Sequence, residues 1–293
     1  MNDATAESPA PSDRPPPRGF RAPGFGGNLA RRVGTALVVL PLLLLALFRG
    51  PAWLTVAVVA AALALGLVEF FGLLRARGIR PMQRVGFLLA AALFVEVAWP
   101  AGAHVPLLPL AALLVLGFML SRGTDRESVT AAAATLLGAV YLGTLGGTIA
   151  ALRLVPPPDQ GAWRLTLLLV VVIFSDTFAF FLGHALGRRR LAPAISPGKS
   201  VEGAVGGVFG GVLGALVVRH LGLGDLPLVH AVVLGGAVAV LGIFGDLNES
   251  LLKRWAKVKD SGTLFPGHGG MLDRLDSLLF GAPVLYYYFL YVR

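Results

Sequence analysis

From about Val33 to Val292 the chain offers one apolar stretch after another, each close to the roughly 20 residues that a helix needs to cross a bilayer. The composition agrees: 56% of residues are hydrophobic and only 14% charged, where soluble domains carry about 25% charged. Spans are expected near 33–48, 53–74, 86–102, 105–120, 129–151, 165–183, 201–218, 228–245 and 277–292. The sequence therefore predicts an all-α, polytopic integral membrane helical bundle with about nine transmembrane helices.

The segment before the first span contains SPAPSDRPPPRGFRAPGFGG. Its Pro, Ala, Gly and Arg cannot bury a core, and residues 1–32 are expected to form a disordered tail. The run VGTALVVLPLLLLALF resembles a signal peptide's apolar region. It is followed by RGPAW and another long apolar span, with no small-residue cleavage site, so it is expected to stay as the first span.

Charge sets the orientation. With the tail inside, the outer face would hold Arg49, Arg153, Arg164, Arg219 and Arg293, and the inner face the other 20 of the 25 Lys and Arg residues. Cytoplasmic segments carry such an excess. The formal charge of +9 does not indicate nucleic acid, because the cations sit in short loops and form no basic stripe. The lack of cysteine excludes disulfides, thiolate metal sites and a Cys nucleophile. Spans five and seven (LLGAVYLGTLGGTIAA; GAVGGVFGGVLGAL) carry small residues at GxxxG-like spacing, which suits tight bundle packing or a homodimer face.

The polar residues concentrate in two places. The first is FGDLNESLLKRWAKVKDSGTLFPGHGGMLDRLDS, residues 244–277. Asp273 and Asp276 are three apart and share one face if a helix starts there, and Asp246 is a third carboxylate at similar depth. Hard oxygen ligands of this kind suit Mg²⁺, and a pair of ions can clamp a transferring phosphoryl group. Alternatively, Asp273 pairs with Arg274 or Lys253 while Asp246 and Asp276 terminate helices. The GHGG turn (Gly269 and Gly270 with His268) offers free N–H groups to an anion. His268 is either a base, a ligand or a hydrogen-bonding spectator. Lys253, Arg254, Lys259 and Arg274 can neutralise a polyphosphate or form a solvated face. DLNESLLKRWAKV reads as a short helix that could lie in the interface, with Leu247, Leu251, Leu252 and Trp255 on its apolar stripe.

The second focus is GRRRLAPAISPGKSVEGAVGG, where Ser196, Lys199 and Ser200 either bind phosphate or form a plain turn around Pro197 and Gly198. Asp176 lies inside span six, where an ionisable group marks a functional site by default. Glu69 and Glu96 lie nearer the ends of their spans and can reach interface water.

The stretch SLLKRWAKVKDSGTLFPGHGGMLDRLD resembles the C-terminal signature of the phosphatidate cytidylyltransferases. It matches at Ser250, Lys253, Arg254, Lys259, Asp260, Gly262, Phe265, Pro266, His268, Gly269, Gly270, Asp273, Arg274 and Asp276. SDTFAFFLGHALGRRRLAPAISPGKSVEG is similar to that family's second block, with Gly198 and Val201 where the family usually has Lys and Trp. The resemblance implies transfer of CMP from CTP to phosphatidate in the bilayer, giving CDP-diacylglycerol and pyrophosphate, with Mg²⁺ and room for a second cation. It implies metal binding by Asp246, Asp273 and Asp276, and catalytic roles for Lys253, Arg254, Lys259, Asp260, His268 and Arg274. Ser196, Lys199, Ser200, Ser250, Gly269 and Gly270 would hold substrate phosphates. N-terminal transmembrane helices over 33–160 would then precede a C-terminal set over 161–293 that carries the catalytic cytoplasmic loops. Richness in Ala, Gly and Arg points to a GC-rich bacterial genome, and so to the inner, cytoplasmic membrane.

Overall fold

A computed structural model of the protein describes residues 41–99, 107–122, 126–262 and 269–292. The expected tail, the first half of the first span (33–40) and His268 lie outside the described residues. The described chain runs α1 (41–49), α2 (Ala52–Arg75), α3 (Gln83–Ala98), α4 (Leu107–Arg122) and α5 (Arg126–Gly138). A π-turn (Ala139–Thr144) joins α5 to α6 (Leu145–Leu154) without a break. There follow α7 (Gly161–Leu186), β1 (Arg190–Ala192), β2 (Ser196–Ser200), α8 (Val201–Gly222), α9 (Leu228–Ala256) and α10 (Leu272–Tyr291).

Among the described residues five helical stretches are long and apolar enough to cross a membrane: Ala52–Arg75, Arg126–Leu154, Pro158–Leu186, Val201–Gly222 and Leu228–Ala256. These match five of the expected spans. The spans expected at 86–102 and 105–120 are helices of 16 residues each, shorter than a straight crossing requires. The last, α10, has 20 residues and starts earlier than expected, because Asp273 and Asp276 belong to the helix itself.

The small-residue stripes are used inside the chain. Gly203, Gly206, Gly207, Gly210, Gly211 and Gly214 of α8 are buried, and a Cβ on Gly211 would come within 2.9 Å of the Gly235 carbonyl on α9. Backbones this close let α7, α8 and α9 pack without a solvent-driven hydrophobic effect. On the other side, Phe70 and Phe71 of α2 are fully buried against α3 and α5.

Two local features differ from expectation within an otherwise all-α chain. Residues 190–200 form an antiparallel hairpin, with Arg190 opposite Ser200 and Ala192 opposite Ser196. Sequence pattern does not announce it, since strands of three and five residues are too short to show alternation. The segment expected to be a separate interfacial helix is instead the last part of α9, which has no breaker before Lys257. There the backbone turns left-handed (φ 58°) and ends the helix.

Candidate active site

The site is built where α9 and α10 touch most closely. A Cβ at Gly245 would collide with the Asp276 carbonyl, and Ser277 Oγ donates to Gly242 O at 3.1 Å. Glycine at 245 therefore lets α10 lie directly on α9, and this contact brings Asp276 beside the two acids of the next α9 turn. Asp246, Glu249 and Asp276 each present a carboxylate oxygen, and the three atoms lie within 4.8 Å of one another. Glu249 is 1% exposed and Asp276 9%. Glu249 Oε1 is buried without a hydrogen-bond partner, a costly state for a carboxylate oxygen that a cation would relieve. Converging hard oxygen donors with one orphaned atom fit a divalent ion such as Mg²⁺ or Mn²⁺.

Lys253 supplies positive charge at the edge of this group. Its Nζ is 2.5 Å from Glu249 Oε2, one helical turn back, and 2.5 Å from Asp273 Oδ1. Asp273, expected among the metal ligands, lies outside the triad. Its other oxygen accepts from Ser261 N (3.1 Å), Ser261 Oγ (2.8 Å) and Gly270 N (2.7 Å). The physical reason is its place in the first turn of α10, where unpaired N–H groups draw a carboxylate. Glu249 stands in the triad instead.

The loop before α10 is held from α2. Glu69 accepts from Met271 N (3.0 Å), Leu272 N (2.8 Å) and Ser261 Oγ (2.9 Å). Glycine is required in the turn twice over: Gly269 has φ +79°, and a Cβ on Gly270 would run into Glu69 and Ser261.

The second polar focus meets the first. Lys199 on β2 forms an ion pair with Asp246, and Ser250 Oγ donates to Asp246 Oδ1 at 3.3 Å. Arg254 Nε donates to Ile195 O at 3.3 Å, tying the hairpin to α9. Ser200 caps α8 by accepting from Gly203 N (3.1 Å), while Glu202 accepts from the backbone N–H groups of Arg188 (3.0 Å) and Arg189. Between α7, the hairpin, α8 and α9 lies a cavity of ≈ 570 Å³ whose wall includes Asp176, Arg190, Lys199, Ser200 and Asp246. That volume suits a small-molecule site, and its wall shares Asp246 with the triad.

The structure thus brings together Asp246, Asp276, Lys253, Ser250, Lys199 and Ser200, with Asp273 and Gly270 one layer behind. Ser196 opens β2 at the register position of Ala192. Arg274 is exposed on the first turn of α10, and Lys259 and Asp260 are exposed just after α9. Sequence reasoning passed over Glu249, Arg190 and Ser261. Glu249 had a signal, because D-x-x-E on one helix puts both acids on one face. Ser261 had none, since its partners are remote in sequence.

Helices long and apolar enough to span a membrane, with a carboxylate triad and a lysine-edged cavity at one end, define a membrane-embedded enzyme of phosphate-ester chemistry. The sequence model of the cytidylyltransferase family matches residues 30–292, and the chain belongs to that family of nucleotidyltransferases. It is 34% identical over 264 residues to the phosphatidate cytidylyltransferase of Synechocystis sp., covering 80% of this chain and 88% of that protein. It is 36% identical over 196 residues to the phosphatidate cytidylyltransferase of Thermotoga maritima, covering 63% and 70%. With the chloroplastic phosphatidate cytidylyltransferase 5 of Arabidopsis thaliana it shares 32% identity over 263 residues, 80% of this chain and 65% of that protein.

Proposed function

We propose that the protein is a phosphatidate cytidylyltransferase that transfers CMP from CTP to phosphatidate, forming CDP-diacylglycerol and pyrophosphate. The observation that carries this reading is the meeting of Asp246, Glu249 and Asp276 beside a cavity edged by Lys199, in a chain whose family transfers cytidylyl groups. A phosphate oxygen of phosphatidate attacks the α-phosphorus of CTP, and the bond to the β-phosphate oxygen breaks. Phosphatidate is itself the nucleophile, so no protein nucleophile is needed, and the chain's part is positioning and charge stabilisation.

Asp246, Glu249 and Asp276 hold a divalent ion, Mg²⁺ in this reading, which supplies charge stabilisation to the transferring phosphate when bound. Lys199 and Arg190 face the polyphosphate from the hairpin, and Lys253 bridges Glu249 and Asp273. Asp273 acts by holding Lys253 and the Gly269–Gly270 turn in place. Ser200 and Ser250 orient Lys199's strand and Asp246.

The same reading takes the chain as multi-pass in the inner membrane, with about nine spans, tail and site on the cytoplasmic side, and the catalytic loops in the part after residue 160. Its support is the asymmetry of Lys and Arg between the two sets of loops.

The test is purified protein with phosphatidate, Mg²⁺ and CTP carrying label at either the α- or the γ-phosphate. Label entering lipid from the α-position alone supports the reading. Label entering from the γ-position would mean a CTP-dependent lipid kinase, and no labelled lipid from folded protein would overturn both.

A further inference from the structure

A second cavity, ≈ 500 Å³, lies between the α2–α3 turn and the facing ends of α4 and α5, and it shares no wall residue with the first. Arg77, Arg80 and Arg126 line it, and Glu127 is the single acid among the described residues of its wall. Ile79, Phe118 and Met119 make another part of the wall apolar. The hollow is therefore amphipathic, with three guanidinium groups and one carboxylate among the described residues that line it.

Its position in the bundle follows from one contact. The Arg77 guanidinium stands 5.6 Å from the centre of the Trp255 ring, and Trp255 lies two residues beyond Lys253 on α9. The second cavity is thus at the same end of the bundle as the carboxylate triad, where helices α2 and α4 end and α3 and α5 begin. Helix ends of a membrane bundle lie at headgroup depth. Basic hollows between helices at that depth select anionic headgroups, and arginine suits them because its planar fork takes two phosphate oxygens at once.

We propose that this cavity binds the phosphate headgroup of an anionic bilayer phospholipid, separately from the lipid substrate of the active site. The phosphate lies among Arg77, Arg80 and Arg126, and the glyceryl and acyl part follows Phe118 and Met119 along α4. Glu127 raises the cost of a second negative charge, which favours a phosphodiester headgroup over a phosphomonoester. Arg77 links the site to the catalytic helix through the Trp255 ring.

The test uses the full chain purified in non-ionic detergent, with retention of dioleoyl phosphatidylglycerol followed by native mass spectrometry. The proteins compared are the intact chain, Arg80→Gln/Arg126→Gln and Arg80→Lys/Arg126→Lys. The intact protein should retain one phosphatidylglycerol, the glutamine variant should bind it about thirtyfold more weakly, and the lysine variant should fall between. Phosphatidylcholine should not be retained, and millimolar inorganic phosphate should not displace the lipid. Asp276→Asn should retain phosphatidylglycerol like the intact chain, and CMP transfer should persist in the glutamine variant, which separates this site from the catalytic one. Equal retention by all the arginine variants, equal retention of phosphatidylcholine, displacement by inorganic phosphate, or loss of retention in Asp276→Asn would each overturn the proposal. Should the glutamine variant not fold, the contrast between the two lipids on the intact chain still decides it.

Discussion

Glu69 and Asp273 stand on either side of one hydroxyl, that of Ser261, at 2.9 and 2.8 Å from its oxygen. A hydroxyl has one proton to donate, so two carboxylates from α2 and α10 share it. Each also accepts backbone N–H groups at the start of α10. An acid far away in sequence therefore fixes where the last helix begins, and with it the height of Asp276 against α9.

Ser261→Ala should expose that dependence. It removes the shared proton and leaves two partly buried carboxylates facing each other, at a cost of about 1–3 kcal/mol. Amide exchange measured by mass spectrometry should rise across residues 269–275, and the unfolding temperature should fall. Unchanged protection there would contradict the shared-proton account.

Lys199 is the cation that joins the hairpin to the triad through Asp246. Lys199→Ala should raise the KM for CTP by roughly tenfold to a hundredfold, the range for a lost hydrogen bond to a charged group, with a smaller effect on the KM for phosphatidate. Lys199→Arg should recover part of the loss. Steady-state kinetics with each substrate varied in turn decide it, and an unchanged KM for CTP would remove Lys199 from the phosphate site.

Gly245→Ala and Gly211→Ala form a matched pair. Both add a methyl where two helices already touch, α9 on α10 at Gly245 and α8 on α9 at Gly211, and each should destabilise by about 1–3 kcal/mol. The Gly245 variant should also lose activity per folded molecule, because Asp276 moves with α10, while the Gly211 variant should keep it. Equal specific activity, with folded protein counted by gel filtration and fluorescence, would show that the close contact does not set the triad.

Much of this was legible from residues alone, and the limits have physical causes. The long apolar runs showed α2, α7, α8 and α9 because a span in lipid leaves a continuous signal. Asp246 and Asp276 stood out as candidates because ionisable groups at the ends of apolar helices are costly unless used, and the structure brings their carboxylates together. For Asp273 the sequence left two readings open, metal ligand or partner of Lys253: spacing puts it on the same face as Asp276, and in the structure Lys253 and the unpaired N–H groups of the turn before it take both its oxygens. The part played by Glu69 rests on contacts with Ser261, Met271 and Leu272, 192 to 203 residues away in sequence. No local pattern encodes such a pairing. The hairpin escaped notice because it is short and its residues read as a turn.

The central claim is that Asp246, Glu249 and Asp276 hold a divalent cation while Asp273 does not. Mn²⁺ binding to the purified protein, followed by electron paramagnetic resonance, tests it directly with a carboxylate-seeking ion that can stand in for Mg²⁺. The account predicts binding to the intact chain that weakens by about a hundredfold or more in Glu249→Gln, with Asp273→Asn binding Mn²⁺ within about tenfold of the intact chain. Mn²⁺ binding that survives Glu249→Gln and disappears in Asp273→Asn would contradict it and return the metal to Asp273.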